Sequence, residues 1–149
     1  MKKYIGLLSF VFTVVLFSFL LSACESGDTD PSTLKAYNFD RDKVPSITSV
    51  VGERTVTDVE SQGENEVPSK QYTYQSDSVS DDLLQYTQLL QEKGWMTAGG
   101  GYDLEELPGT AQFVKESVDD GQILIIYIDY GESEYSIEVT KLEAVINNI

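Results

Sequence analysis

Twenty-five carboxylates, one thiol and no imidazole are the reactive groups this 149-residue chain can bring to chemistry. Without histidine, neither a Ser-His-Asp nor a Cys-His arrangement can be assembled. Carboxylates alone can hydrolyse a glycosidic bond when two face each other across roughly 5–10 Å. With acids this numerous, spacing singles out no pair. Asp129 stands apart because it interrupts the apolar stretch QILIIYIDY at 122–130, although its place at the end of that stretch makes solvent exposure easy. Asp28 and Asp30, Asp40 and Asp42, and the Asp119-Asp120-Gly121 turn offer hard oxygen ligands, yet none continues into a twelve-residue EF-hand loop. Gly99 to Gly101 lack the Gly-Lys-Ser/Thr of a phosphate loop and the spacing of a dinucleotide fingerprint. No catalytic residue, metal site or cofactor is expected.

The thiol, Cys24, has no second cysteine for an intrachain disulfide and no histidine for a tetrahedral metal site. Its setting is more informative than its chemistry. Lys2 and Lys3 precede a charge-free run from Ile5 to Leu21, and small residues Ser22 and Ala23 follow. A basic tip, an apolar run and small residues form the pattern of a secretory signal. The next cation is Lys35, so the positive-inside tendency places the remainder outside the cytoplasm. Glu25, Ser26, Gly27, Asp28 and Thr29 beyond it build no core.

Leu21-Ser22-Ala23-Cys24 resembles the lipobox of bacterial lipoproteins, with an apolar residue, two small residues and the cysteine in register. The resemblance covers roughly the first 24 residues and implies a division of the chain. Residues 1–23 would be a signal peptide, and the Cys24 sulfur would receive a diacylglyceryl group and become the first mature residue. The partner so implied is membrane lipid, held firmly because two acyl chains anchor where one is marginal. The implied location is the bacterial cell envelope, on the outer face of the cytoplasmic membrane, or at the outer membrane in a Gram-negative cell. In general character the chain is also similar to small, functionally unassigned lipoproteins of Gram-positive bacteria, from which no site is carried over.

Cleavage before Cys24 removes two of the ten basic residues and no acid, so 25 acidic against 8 basic side chains leave −17. Such a body lacks the cations that displace counterions from phosphate, which excludes nucleic acid as a partner. It also excludes lying flat on anionic lipid.

Seven of the nine tyrosines belong to the stretch from residue 70 onward. Tyrosine stacks with its ring and bonds with its hydroxyl, so it serves contact surfaces and the rims of small cores alike. Tyr72, Tyr74, Tyr102 and Tyr130, with the sole tryptophan Trp95, are the candidate partner or ligand contacts.

The elements that must carry these residues are partly legible. Residues 24–46 are polar with two prolines and read as the lipidated cysteine and a mostly flexible tether. Of its residues only Leu34, Tyr37, Phe39 and Val44 could pack, and Tyr37 and Phe39, at strand-like spacing, are the candidates for docking on the domain. A single small domain is expected over 47–149, opening with a β-prone segment at 47–60 around Gly52 and a loop at 61–69. Tyr72 and Tyr74 alternate with polar residues, as a half-buried strand requires. Val79, Leu83, Tyr86 and Leu90 form one helical stripe, with Ser78 as expected cap, Asp81 three residues on, and Gly94-Trp95 as a Schellman ending. Residues 96–109 read as a connection. Three strands follow, over 110–118, 122–130 and 134–141, with Asp120-Gly121 suited to a type I′ hairpin. The last eight residues are compatible with helix or strand.

The expected architecture is α+β: a mostly antiparallel sheet of four or more strands with one main helix packed on one face. Ile123, Ile125 and Tyr127 share one face of 122–130 and Leu124, Ile126 and Ile128 the other, so the second face, that of Leu124, Ile126 and Ile128, requires cover from 47–60, from a partner, or from a second copy in a homodimer. The function expected is a non-enzymatic binding or organising module for an envelope protein, peptide or glycan. A carboxylate hydrolase and a ligand-capture lipoprotein with a concave tyrosine-lined pocket are the alternatives.

Overall fold

The computed structural model describes residues 30–63, 67–144 and 146. In chain order its elements are β1 (Ala36–Phe39), β2 (Asp42–Pro45), α1 (Thr48–Val51), β3 (Thr55–Gln62), β4 (Ser69–Gln75), α2 (Val79–Glu92), β5 (Met96–Ala98), β6 (Gly109–Glu116), β7 (Gln122–Tyr130) and β8 (Glu134–Glu143). β1 and β2 form a separate antiparallel hairpin, and the other six strands make one antiparallel sheet in the order β3-β4-β8-β7-β6-β5. The architecture is α+β, mostly β, with one main helix.

Two-residue periodicity sets the sheet's inner face. Tyr72 and Tyr74 of β4, Tyr135, Ile137 and Val139 of β8, Leu124, Ile126, Ile128 and Tyr130 of β7, and Ala111 and Phe113 of β6 are all buried in one cluster. Helix α2 covers this face with Val79, Leu83, Tyr86 and Leu90, the stripe its sequence period predicts. Its end is the predicted Schellman cap: Trp95 N–H donates to Leu90 O, Gly94 N–H donates to Gln91 O, and Gly94 takes φ +82°. Only glycine enters that left-handed conformation without steric cost.

The start of α2 differs from expectation. Ser78 makes no side-chain cap; its carbonyl accepts from Asp82 N–H and its own N–H donates to Ser76 Oγ. Asp82 rather than Asp81 turns inward, because buried partners await it there.

The tether expected to run to residue 46 is corrected over its second half. Leu34, Tyr37, Phe39, Val44 and Ile47 are buried in the same core as the sheet. Tyr37 stacks on Tyr72 with centroids 4.7 Å apart, and Tyr86 donates to Pro45 O at 2.9 Å. The hairpin is thus a second cover beside α2, on the same side of the sheet. Cys24 and the expected signal segment lie outside the described residues, as do 145 and 147–149 of the final eight.

Three further expectations change. Residues 47–60 supply the helical turn α1 and most of edge strand β3; Ile47, with Val50, Val51 and Val56 packed against the core, joins α2 on the Leu124-Ile126-Ile128 side of β7, and it is the Ile125–Tyr127 side that no described element covers. The connection 96–109 contains β5, which pairs with β6. The turn closed by Gln122 N–H to Asp119 O has only Gly121 at positive φ, so it is not type I′, which needs two such residues.

Candidate functional site

Four of the five candidate contact residues are walls of the core. Tyr72, Tyr74, Trp95 and Tyr130 are at most 9% exposed. Tyr102 is half-buried, its ring 5.5 Å from that of Phe113. Tyr37, Tyr72, Tyr74 and Tyr135 form a row of rings, with successive centroids 4.7, 6.5 and 5.7 Å apart. The hydroxyls of Tyr37 and Tyr74 lie 3.1 Å apart, Tyr135 donates to Asp82, and outside the row Tyr130 donates to Asp103 O. Burial pushes the Tyr74 hydroxyl up to about 12 and those of Tyr37, Tyr86 and Tyr135 well above the usual range. A flat partner therefore meets none of these rings, except where a cavity reaches them.

The carboxylates divide into buried, fully bonded groups and solvated ones. Asp82 is 1% exposed and accepts from Arg54, Ser76 and Tyr135. Burial alone would raise its pKa, but the Arg54 and Ser76 hydrogen bonds hold it below the ordinary carboxylate range. Asp42 is likewise buried, and Lys141, Ser117 Oγ and Val118 N–H together hold it low against the pull of burial. Asp119 is also lowered, by hydrogen bonds from Lys141 and Arg41. A general acid requires the opposite shift. Asp129 is exposed at the rim of a 370 Å³ cleft that also touches Tyr130, Glu134 and Tyr135. No group of three metal-ligating side chains occurs among the described residues.

What remains is the outer face of the sheet. Strand register aligns Met96, Val114, Ile125 and Thr140 in one row across β5, β6, β7 and β8. The adjacent row holds Ala98, Gln112, Tyr127, Glu138, Gln71 and Glu60. Tyr127 is 40% exposed and Met96 48%, while Val114 and Ile125 are half-buried. No helix or strand among the described residues lies across this face. Met96, Val114, Ile125 and Tyr127 thus form an apolar strip across β5–β7, interrupted by Gln112 of β6, while Glu138, Gln71 and Glu60 carry the face across β8, β4 and β3.

Sequence periodicity brought this face within reach, because Ile125 and Tyr127 share a parity opposite to Ile126 and Ile128. Met96 was missed because three residues are too few to display alternation. No family model matches the chain, and neither a curated protein nor a solved structure matches it.

Proposed function

We propose that this chain is a lipid-anchored, non-enzymatic binding module of the bacterial envelope, and that its outer sheet face receives a partner protein. The observation that carries the proposal is the row Met96–Val114–Ile125 with Tyr127 beside it, apolar and uncovered by any described element. Contiguous exposed apolar surface with a polar border marks interaction sites on soluble domains. Glu138, Glu60 and Asp58 on the adjoining strands are acidic, so a matching partner is apolar at its centre and basic at its rim. A second copy fits less well, since face-to-face pairing would oppose two acidic rims on bodies of −17 each. The lowered carboxylates weigh against the hydrolase alternative. The anchor rests on the lipobox-like Leu21–Cys24 and its basic, apolar lead.

Photo-crosslinking tests the reading in the native, membrane-tethered protein. A photoreactive residue replaces Tyr127 in one variant and Leu84, 49% exposed on the outer side of α2, in another. A discrete protein adduct is expected from position 127, absent from position 84 and lost on adding Ile125→Asp. Equal labelling from both positions, or adducts indifferent to Ile125→Asp, rejects the outer face as the site. Mass analysis of the native protein should find a chain that begins at Cys24 and carries a diacylglyceryl group; an uncut lead with an unmodified sulfur rejects the anchor.

A further inference from the structure

Beneath the end of α2, on the opposite side of the sheet from the outer face, a cavity of about 270 Å³ opens between β2, the α2 cap and β6. Its apolar lining includes Trp95 (4% exposed), Leu124 (3% exposed) and Pro45. Lys43, Lys93 and Lys115 also line it. They come from three different elements, and they are three of the eight cations that follow Cys24 in a strongly acidic chain. Among the described residues none of the three stands within ion-pair distance of a carboxylate.

A purely structural explanation accounts for only part of this. Lys115 Nζ donates to Lys93 O at 2.6 Å and so ties β6 to the negative end of the α2 dipole. Lys43 has no such carbonyl among the described residues, and the Lys43 and Lys93 side chains are exposed. The cavity also contains carboxylates. Asp42 is turned to Lys141, Ser117 and Val118, which leaves exposed Glu116 as the acid at the rim. Three cations against one solvated acid make this a cationic recess in an anionic body.

We propose that this recess binds a small organic anion: one compact apolar body, about the size of a ring, seated on Trp95, Pro45 and Leu124, with one carboxylate or phosphate among the three ammonium groups. The volume lies just below the usual range for ligand pockets, which begins at about 300 Å³. It therefore holds about one ring-sized body. An apolar floor with a few convergent charged groups is the general form of such sites. The surrounding negative charge repels anions at long range, so binding depends on close contact with the three ammonium groups.

Trp95 is the sole tryptophan of the chain and reports on its own cavity. The full-length protein in neutral phosphatidylcholine vesicles is titrated with benzoate, phenyl phosphate, inorganic phosphate and benzylammonium while Trp95 fluorescence is followed. Benzoate and phenyl phosphate are expected to give saturable changes. Inorganic phosphate, lacking the apolar body, should bind roughly tenfold more weakly, and benzylammonium should give no response. Lys43→Gln and Lys93→Gln, both at exposed positions that leave the fold intact, should each weaken benzoate binding roughly fivefold, as expected for partly screened charge contacts. Phosphatidylglycerol vesicles that abolish the phenyl phosphate response assign the anion to a lipid headgroup; an unchanged response assigns it to a soluble ligand. The proposal is overturned if neither benzoate nor phenyl phosphate saturates below about 10 mM, roughly tenfold weaker than a millimolar site. It is equally overturned if benzylammonium matches benzoate, or if both lysine variants bind as the parent does.

Discussion

Arg54 and Asp82 meet through two parallel hydrogen bonds, Nε to Oδ2 at 2.7 Å and Nη2 to Oδ1 at 2.6 Å. This bidentate contact joins the chain just before edge strand β3 to the first turn of α2, and Ser76 and Tyr135 complete the carboxylate's shell. Removing the guanidinium leaves a charge at 1% exposure with two neutral donors. Arg54→Ala should therefore lower the unfolding free energy by about 3 kcal/mol. Asp82→Asn in the same chain should restore part of the loss, since an amide no longer buries a charge. Urea denaturation of the four variants measures the coupling. Additive effects would mean that the pair does not act as a unit.

At the opposite end of β8, Lys141 is 5% exposed and lies 2.9 Å from Asp42 and 2.5 Å from Asp119. It fastens the β1–β2 hairpin to the sheet and to the β6–β7 turn. Lys141→Met keeps the stem and removes the charge, stranding Asp42 at 4% exposure. A loss of about 2–4 kcal/mol is expected, given that Ser117 and Val118 still bond the carboxylate. Hydrogen exchange should show the hairpin, Ala36 to Pro45, opening more readily than α2. Uniform loss of protection would contradict the hairpin being fastened at this point.

Gly109 begins β6 where the Tyr130 ring crosses it, and a Cβ there would stand 2.6 Å from the Tyr130 hydroxyl oxygen. That ring is 2% exposed and its hydroxyl donates to Asp103 O at 2.9 Å, so it cannot swing aside cheaply. Gly109→Ala should cost about 1–3 kcal/mol, the range for overpacking. Tyr130→Leu removes the clashing atoms. In that background Gly109→Ala should be nearly neutral by thermal or urea denaturation, and an undiminished cost would place the strain elsewhere.

Local periodicity made β4, α2, β7 and β8 legible, together with the Leu90–Gly94–Trp95 cap, because each signal is completed within a few residues. Asp82 was not legible. Its burial depends on Arg54, 28 positions earlier, and the first turn of a helix ordinarily explains an acid by the dipole alone. Tyr37, Phe39 and Val44 sit in a segment polar enough to read as tether, and their burial depends on Tyr72 and Tyr74 across the chain. Tyr72, Tyr74 and Tyr130 misled in the other direction, from contact surface to core. A ring-and-hydroxyl residue suits a contact surface or a core equally, and only the positions of Pro31, Pro45 and Asp103 carbonyls settle which. For β7 the alternation reported two apolar faces correctly, but apolarity does not say what covers a face.

The opposed shifts of buried carboxylates and tyrosines predict stability limits at both ends of the pH scale. Asp42, Asp82 and Asp119 are lowered in the folded chain. Their contribution is fully present above the unfolded carboxylate value of about 4 and is lost as pH falls below it, because the unfolded chain takes up protons first. Tyr37, Tyr74, Tyr86 and Tyr135 are raised. The unfolded chain ionises them near 10 while the folded chain keeps them protonated, so stability falls as pH rises past about 10. Each contributes a slope of about 1.4 kcal/mol per pH unit there. The urea midpoint should therefore be nearly flat between about pH 5 and 9, then fall more steeply on the alkaline side than on the acid side. Tyr86→Phe should make the alkaline fall shallower by one tyrosine's share, at some cost from the lost bond to Pro45 O. An alkaline slope unaffected by that substitution would show that Tyr86 ionises alike in both states and is not sealed in the core.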